Sequence, residues 1–220
     1  EPLTYLDADL WFFRSPEPLF EELRGHSVSM VPHRFPEALR HLENHGIYNV
    51  GWLSFADDAD ARACLGWWRE RCLEWCYDRV EDGKYADQKY LDRWPEMFRG
   101  VRPVAHTGAG VAPWNVADFP LSRRDGELFA GEYPLIFFHY AAFRRLAKWL
   151  FEPSLASYGA AMTPLLKREV FLPYIDELRA VERLLEEKAP NSACGWSSVR
   201  RPGWLPLMRR ALKGELLIVR

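Results

Sequence analysis

The sequence predicts an α/β fold, and three observations carry that prediction. Short runs of apolar, β-branched and aromatic residues alternate with stretches that repeat apolar residues at helical spacing. Capping residues and prolines stand where the helical stretches should begin, and glycines where they should stop. At 220 residues the chain can bury a sizeable core in one domain with an appendage.

Leu3-Thr4-Tyr5-Leu6 reads as a short buried strand that runs into Asp7-Ala8-Asp9 and then Leu10-Trp11-Phe12-Phe13. Ser15 caps a helix to about Leu23, with Pro16 at its first position. Residues 28–31 form a strand stopped by Pro32, and His33 to Pro36 a loop. Residues 36–45 follow as a helix with Leu39 and Leu42 inward, closed by Gly46. Residues 47–55 are the next strand, containing Tyr48-Asn49-Val50-Gly51. Asp57 and Asp58 cap a long helix to about Val80, whose inward stripe is Leu65, Trp68, Cys72, Trp75 and Cys76.

A polar loop over 81–85 then delivers Asp87-Gln88 to a short helix through Trp94. Residues 101–104 read as a strand, 106–110 as a flexible loop, and Gly126 and Gly131 bracket a hairpin around Leu128 and Phe129. Residues 135–139 are a strongly apolar strand ending on His139, followed by a helix from about Tyr140 to Leu150. Beyond 150 the character changes. A charged helix over 174–188 carries Ile175, Leu178, Val181 and Leu185 on one edge, and 191–198 is a loop. The expected organisation is a domain over 1–150 and a helical, basic-amphipathic extension over 151–220.

Composition excludes several classes. A formal net charge of -2 gives no pull toward nucleic acid, and no apolar run is long enough to span a bilayer. Three of the four cysteines, Cys64, Cys72 and Cys76, fall at helical spacing, apart from Cys194. They lack the tight pairs of a zinc site and read as reduced core thiols in a cytoplasmic protein. From Trp196 onward six basic residues (Arg200, Arg201, Arg209, Arg210, Lys213, Arg220) face one acid, Glu215. That tail suits either a docked amphipathic helix with a solvated basic face or peripheral contact with the anionic inner face of a membrane.

Chemistry concentrates first at Asp7 and Asp9. Two carboxylates one residue apart share a side if the backbone stays extended. At a strand end they make an oxygen-rich site for Mg²⁺ or Mn²⁺. The same residues also fit an Asp-capped turn. A strand that opens the chain already bearing such a pair suggests the downstream part of a longer protein.

Four separated pieces then line up: Tyr5-Leu6-Asp7-Ala8-Asp9, Tyr48-Asn49-Val50-Gly51, Ala86-Asp87-Gln88-Lys89-Tyr90-Leu91 and Ile136-Phe137-Phe138-His139. In this order the chain resembles the nucleotide-diphospho-sugar glycosyltransferases of the GT-A fold, especially the glycogenin-like and LPS-galactosyltransferase-like group. The resemblance covers residues 3 to about 145. It implies a mixed, mostly parallel sheet flanked by helices, and an enzyme that moves a sugar from a nucleotide-diphosphate donor to a glycan, lipid-linked or small-molecule acceptor.

Carried over, it implies that Asp7, Asp9 and His139 hold Mn²⁺ or Mg²⁺ and, through the ion, the donor diphosphate. Asn49 and Gly51 would meet the donor sugar, Asp87 and Gln88 would stand beside its anomeric carbon, and Arg144 would take the place of a phosphate-binding lysine. His33, Trp114 and Asn115, on loops, are acceptor-side candidates, as is His106. The family's glycine and lysine after the late histidine are replaced here by Tyr140-Ala141-Ala142-Phe143-Arg144. The nucleotide-binding units expected before the Asp-x-Asp are not in these 220 residues. Two other readings use the same motif. One is an inactive fragment or interaction module. The other is a phosphatase of the haloacid dehalogenase kind with Asp7 as nucleophile, but Trp11 stands where that group has Thr or Val.

Overall fold

A computed structural model of the chain describes residues 1–189 and 203–219. The chain divides into two compact units, Glu1–His139 and Tyr140–Arg220. Both mix helices and small sheets, so the α/β class holds.

The first unit begins with β1 (Leu3–Leu6), β2 (Leu10–Phe12), α1 (Glu17–Leu23), β3 (Val28–Pro32) and a 3-10 helix over Glu37–His45. β4 (Tyr48–Phe55) and α2 (Ala59–Glu74) follow, then a second 3-10 helix (Lys89–Arg93), α3 (Trp94–Met97), β5 (Val101–Pro103) and β6 (Ala109–Val111). The meander β7 (Leu121–Arg124), β8 (Glu127–Ala130) and β9 (Tyr133–Pro134) leads into β10 (Phe137–His139). A four-stranded sheet has the order β1-β4-β3-β5, and a second sheet the order β2-β10-β6.

The local signals explain most of these boundaries. Pro16 and Ser15 open α1, the Ser15 hydroxyl accepting the amide of Glu17 at 3.3 Å. The Asp58 carboxylate accepts the amide of Ala61 at the start of α2. Asp125 and Gly126, both at positive φ, make the turn between β7 and β8. α2 ends at Glu74, six residues before the expected Val80, because Trp75 turns extended. Ala61 and Cys64 are buried, Leu65 and Trp68 of the expected stripe pack half-buried against the same core, and Cys76 is exposed. One core lies between the sheet and α2, with Val28, Met30, Leu53, Cys64, Leu91 and Trp94. A second gathers Leu19, Val31, Trp52, Val104, Ile136 and Phe137. β4 is covered on both faces, so seven of its eight residues are buried.

Three further expectations for the first unit need correction. The sheets are mixed rather than mostly parallel. Only β3–β5 and β6–β10 pair in parallel among the described residues; the remaining pairs are antiparallel, several through links too short for a parallel return. β1 is an edge strand rather than a buried one, with Leu3, Tyr5 and Leu6 exposed. Residues 106–110 are not a flexible loop: a β-carbon at Gly108 would lie 1.9 Å from the Pro134 carbonyl oxygen, and Ala109 to Val111 form the buried β6.

The second unit contains β11 (Arg144–Ala147), β12 (Leu150–Glu152), a 3-10 turn (Leu155–Tyr158) and α4 (Pro164–Leu166). A π-helical turn (Lys167–Phe171), α5 (Leu172–Lys188), α6 (Trp204–Leu212) and β13 (Leu217–Ile218) complete it. The helix expected over 140–150 is instead the start of the β11-β12-β13 sheet. Along α5, Ile175 is buried and Leu178, Val181 and Leu185 are exposed. Within the basic tail, Arg210 pairs with Glu152 and Glu215, while Arg209 and Lys213 are exposed. Cys194, the 191–198 loop, Arg200, Arg201 and Arg220 lie outside the described residues. No helix among the described residues is long and apolar enough to cross a membrane.

Candidate metal centre

The candidate centre is built where the four-stranded sheet meets the β2-β10-β6 sheet in the first unit. β1 runs antiparallel along β4 as far as the Leu6–Trp52 pair, and the Asp7 amide then donates to the Gly51 carbonyl at 3.1 Å. On its other edge β4 breaks register with β3. Met30 faces Leu53 and the next residue, Val31, faces Asn49, so Val50, Gly51 and Trp52 bulge out of the ladder. After Asp7 the chain turns at Ala8-Asp9 and enters β2, where Leu10 pairs with His139. Asp7 is thus tied to one sheet and Asp9 to the other. The backbone between them is a turn, not the extended segment that would align them by spacing alone.

His139 closes the set. Its Nε2 stands 3.2 Å from Asp9 Oδ1 and 3.8 Å from Asp7 Oδ2. The candidate ligand atoms of Asp7, Asp9 and His139 all lie within 4.8 Å of one another, with the imidazole buried and the carboxylates half-buried. Two hard oxygens and one imidazole suit Mn²⁺ in particular. For Asp9, burial works to raise the carboxyl, but the hydrogen bond and charge of His139 outweigh it and hold the carboxyl below its usual range. The ring fits only because residue 51 has no side chain. A β-carbon there would sit 3.0 Å from His139 Cε1 and Nδ1 and 2.5 Å from Asn49 Oδ1.

Around the centre lies a shell that sequence reasoning missed. The Tyr5 hydroxyl donates to Asp7 Oδ1 at 2.9 Å. Although the residue is exposed, its partial desolvation, that bond and the charges of Asp7, Asp87 and Asp9 push the phenol up to about 12. The i, i+2 spacing of Tyr5 and Asp7 on a strand was the available signal. The Trp68 ring meets Tyr5 edge-on at 6.4 Å, and its indole N–H donates to the Asp87 carbonyl at 2.8 Å. Burial, then the charge of Asp7, raises the Asp87 carboxyl against the pull of its own backbone amide. Asp87 and the metal centre therefore share one electrostatic neighbourhood.

The other predicted residues have definite places. Asn49 spends its side chain inside the protein. Its oxygen accepts the Gly51 amide at 2.7 Å, and its NH₂ donates to Gln88 Oε1 and His33 Nε2, each at 3.2 Å. Gln88 in turn donates to the His45 carbonyl at 3.0 Å. Asn49 and Gly51 thus position Gln88 and His139.

His33, Trp114 and Asn115 are buried, so they do not line an open acceptor cleft. The His33 carbonyl accepts the Trp114 indole N–H at 2.8 Å and the Asn115 amide at 2.9 Å. Burial pushes the His33 imidazole down to about 3, with the neighbouring His139 adding to it. Trp114 meets the His139 ring edge-on at 5.4 Å and so backs the candidate ligand. His106 packs edge-on against Tyr133, away from the cluster's ligand set. Arg144 belongs to the second unit, where it is engaged by the buried carboxylate of Glu152 at 2.6 Å.

The chain is similar to two proteins of Bacillus subtilis (strain 168), both described as uncharacterized. It is 29% identical to YfnD over 199 residues, 89% of this chain and 63% of that protein. It is 36% identical to YfnF over 152 residues, 66% of this chain and 50% of that protein. The chain thus spans between half and just under two-thirds of the length of these curated relatives. No family model matches it, and no solved structure matches it significantly.

Proposed function

We propose that the chain carries the metal and sugar-transfer site of a nucleotide-diphospho-sugar glycosyltransferase of GT-A type. The observation that carries this reading is the convergence of Asp7, Asp9 and His139, drawn from separate parts of the chain, on one point. The four motifs that resemble such enzymes support it, because residues from all four lie around that point. Asp7, Asp9 and His139 would hold Mn²⁺ or Mg²⁺. The ion supplies Lewis-acid neutralisation of the donor diphosphate.

The chain's own residues do the rest. Tyr5 fixes one carboxylate and Gly51 admits the imidazole. Asn49 holds Gln88 in place, and Asp87 presents a carboxylate near the cluster. In the transfer, the bond from the anomeric carbon to the diphosphate oxygen breaks and a bond to the acceptor oxygen forms. The acceptor hydroxyl loses its proton, and Asp87 is the group placed to take it if the reaction inverts configuration.

Calorimetry with Mn²⁺ alone and then with a panel of UDP- and GDP-sugars tests the reading. Metal-dependent donor binding that Asp9→Asn abolishes, with the fold unchanged by circular dichroism, is the expected outcome. Donor binding that is indifferent to metal and to Asp9→Asn removes it. A second reading is a module without turnover of its own, favoured by the greater length of both relatives. It predicts Mn²⁺ binding with no response to any nucleotide sugar. Hydrolysis of a generic phosphate ester would point instead to the haloacid-dehalogenase-like chemistry.

A further inference from the structure

With His33, Trp114 and Asn115 buried, the acceptor must approach from elsewhere, and the surface beside Asp87 offers a place. An open cleft of about 550 Å³ runs along α2, lined by Leu65, Trp68, Cys72, Leu73, Cys76 and Asp87, with Arg69 also in its wall. Its floor is apolar, and its position is fixed relative to the metal centre. Trp68 serves both places, because the indole that walls the cleft anchors the Asp87 backbone at 2.8 Å and rests edge-on against Tyr5. Tyr5 in turn holds Asp7 at 2.9 Å. A molecule seated on Trp68 therefore has Asp87 beside it and the cluster one residue further on.

We infer that this cleft is the acceptor subsite and takes the apolar body of a neutral amphiphile, whose hydroxyl is presented to Asp87. The inference rests on the sugar-transfer reading above and adds the acceptor's chemical class. Apolar walls pack an alkyl or aryl group. Arg69 and Asp87 contribute one charge of each sign, so the lining selects no net charge. Asp87 is a hydrogen-bond acceptor at the end nearest the cluster. A free sugar would leave the apolar floor uncovered and bind weakly.

Cys76 provides the readout, being an exposed thiol in the cleft wall. Pulse labelling of the intact chain with N-ethylmaleimide, resolved by peptide mass, is compared in octyl β-glucoside below its micelle concentration and in glucose. Saturating octyl glucoside is expected to slow labelling of Cys76 about tenfold, glucose to leave it unchanged, and Leu73→Arg to abolish the protection. Leu73 is 71% exposed, so the variant keeps the fold while placing a charged chain across the mouth. Equal labelling with and without octyl glucoside overturns the inference. So does protection that survives Leu73→Arg, or protection that grows with protein concentration alone and marks a second copy as the occupant. Mn²⁺ calorimetry on the same sample reports on Asp7, Asp9 and His139 independently, so failure of the cleft and failure of the metal site are told apart.

Discussion

The ring of His139 packs closely against the bare Cα of Gly51: a β-carbon there would stand 3.0 Å from two of its ring atoms and 2.5 Å from Asn49 Oδ1. The Gly51 carbonyl receives the Asp7 amide and its own amide is held by Asn49. One glycine in a bulge of β4 thus positions both halves of the candidate metal centre.

Gly51→Ala should therefore damage the centre more than the fold. Moving the His139 ring and the Asn49 amide costs about 1–3 kcal/mol of stability. Mn²⁺ affinity should fall well beyond what that loss explains. Thermal melting and a Mn²⁺ titration of the folded variant separate the two effects. Unchanged affinity would show that the ring has room to move without losing its ligand position.

Tyr5→Phe keeps the ring against Trp68 and deletes the bond to Asp7. Outer partners of metal ligands typically contribute 10–100-fold in affinity. A loss of about that size is expected, with the melting temperature little altered, because the hydroxyl lies at an exposed hydrogen bond. Competition with a metal-sensitive dye measures it.

Asp87→Asn should stabilise the protein at neutral pH. The Asp87 carboxyl is raised in the folded chain, by burial first and then by Asp7. Between the unfolded value, about 3.9 for Asp, and the higher folded value, the native state binds more protons than the unfolded one. Stability therefore falls as pH rises through that window, and above it the full penalty remains. The variant should melt above the wild type at pH 7, and the gain should vanish below the unfolded value. Melting curves across pH check the sign, and any turnover should fall in the same variant.

Asn115→Ala has the opposite profile. Its amide bonds the carbonyls of His33 and Gly110 and the amide of Ala112, all buried. Each buried group left unpaired costs about 1–3 kcal/mol. Denaturant unfolding should show a substantial loss, while the folded fraction keeps its Mn²⁺ affinity. A variant that lost metal but not stability would place Asn115 in the site rather than in its support.

Read from the chain alone, Asp7 and Asp9 stand out as an acidic pair, and the resemblance of the ordered motifs is what adds His139 to them. The support was less visible. Asn49 and Trp114 looked like ligand contacts, since an amide or an indole near a motif carries no mark of where its hydrogen bonds go. Here both are spent on neighbouring backbone and side chains. The strands expected over 28–31 and 47–55 are present with ends one residue different, at 28–32 and 48–55, because apolar β-branched runs between clear turn signals leave few alternatives. The helix expected over 140–150 failed because Phe143, Leu146 and Leu150 suit a strand pair as well as a helix face. Which one forms depends on the partner strand at 217–218, far along the chain.

Local chemistry in the sequence therefore determined the caps, the turns, the α/β class and the acidic pair, while His139 joined that pair only through the resemblance of the ordered motifs. The tertiary structure decided pairing direction, the bulge at Gly51 and the burial of His33, Trp114 and Asn115. Those depend on contacts between residues tens of positions apart, and short-range propensity does not encode which distant surface a residue will meet.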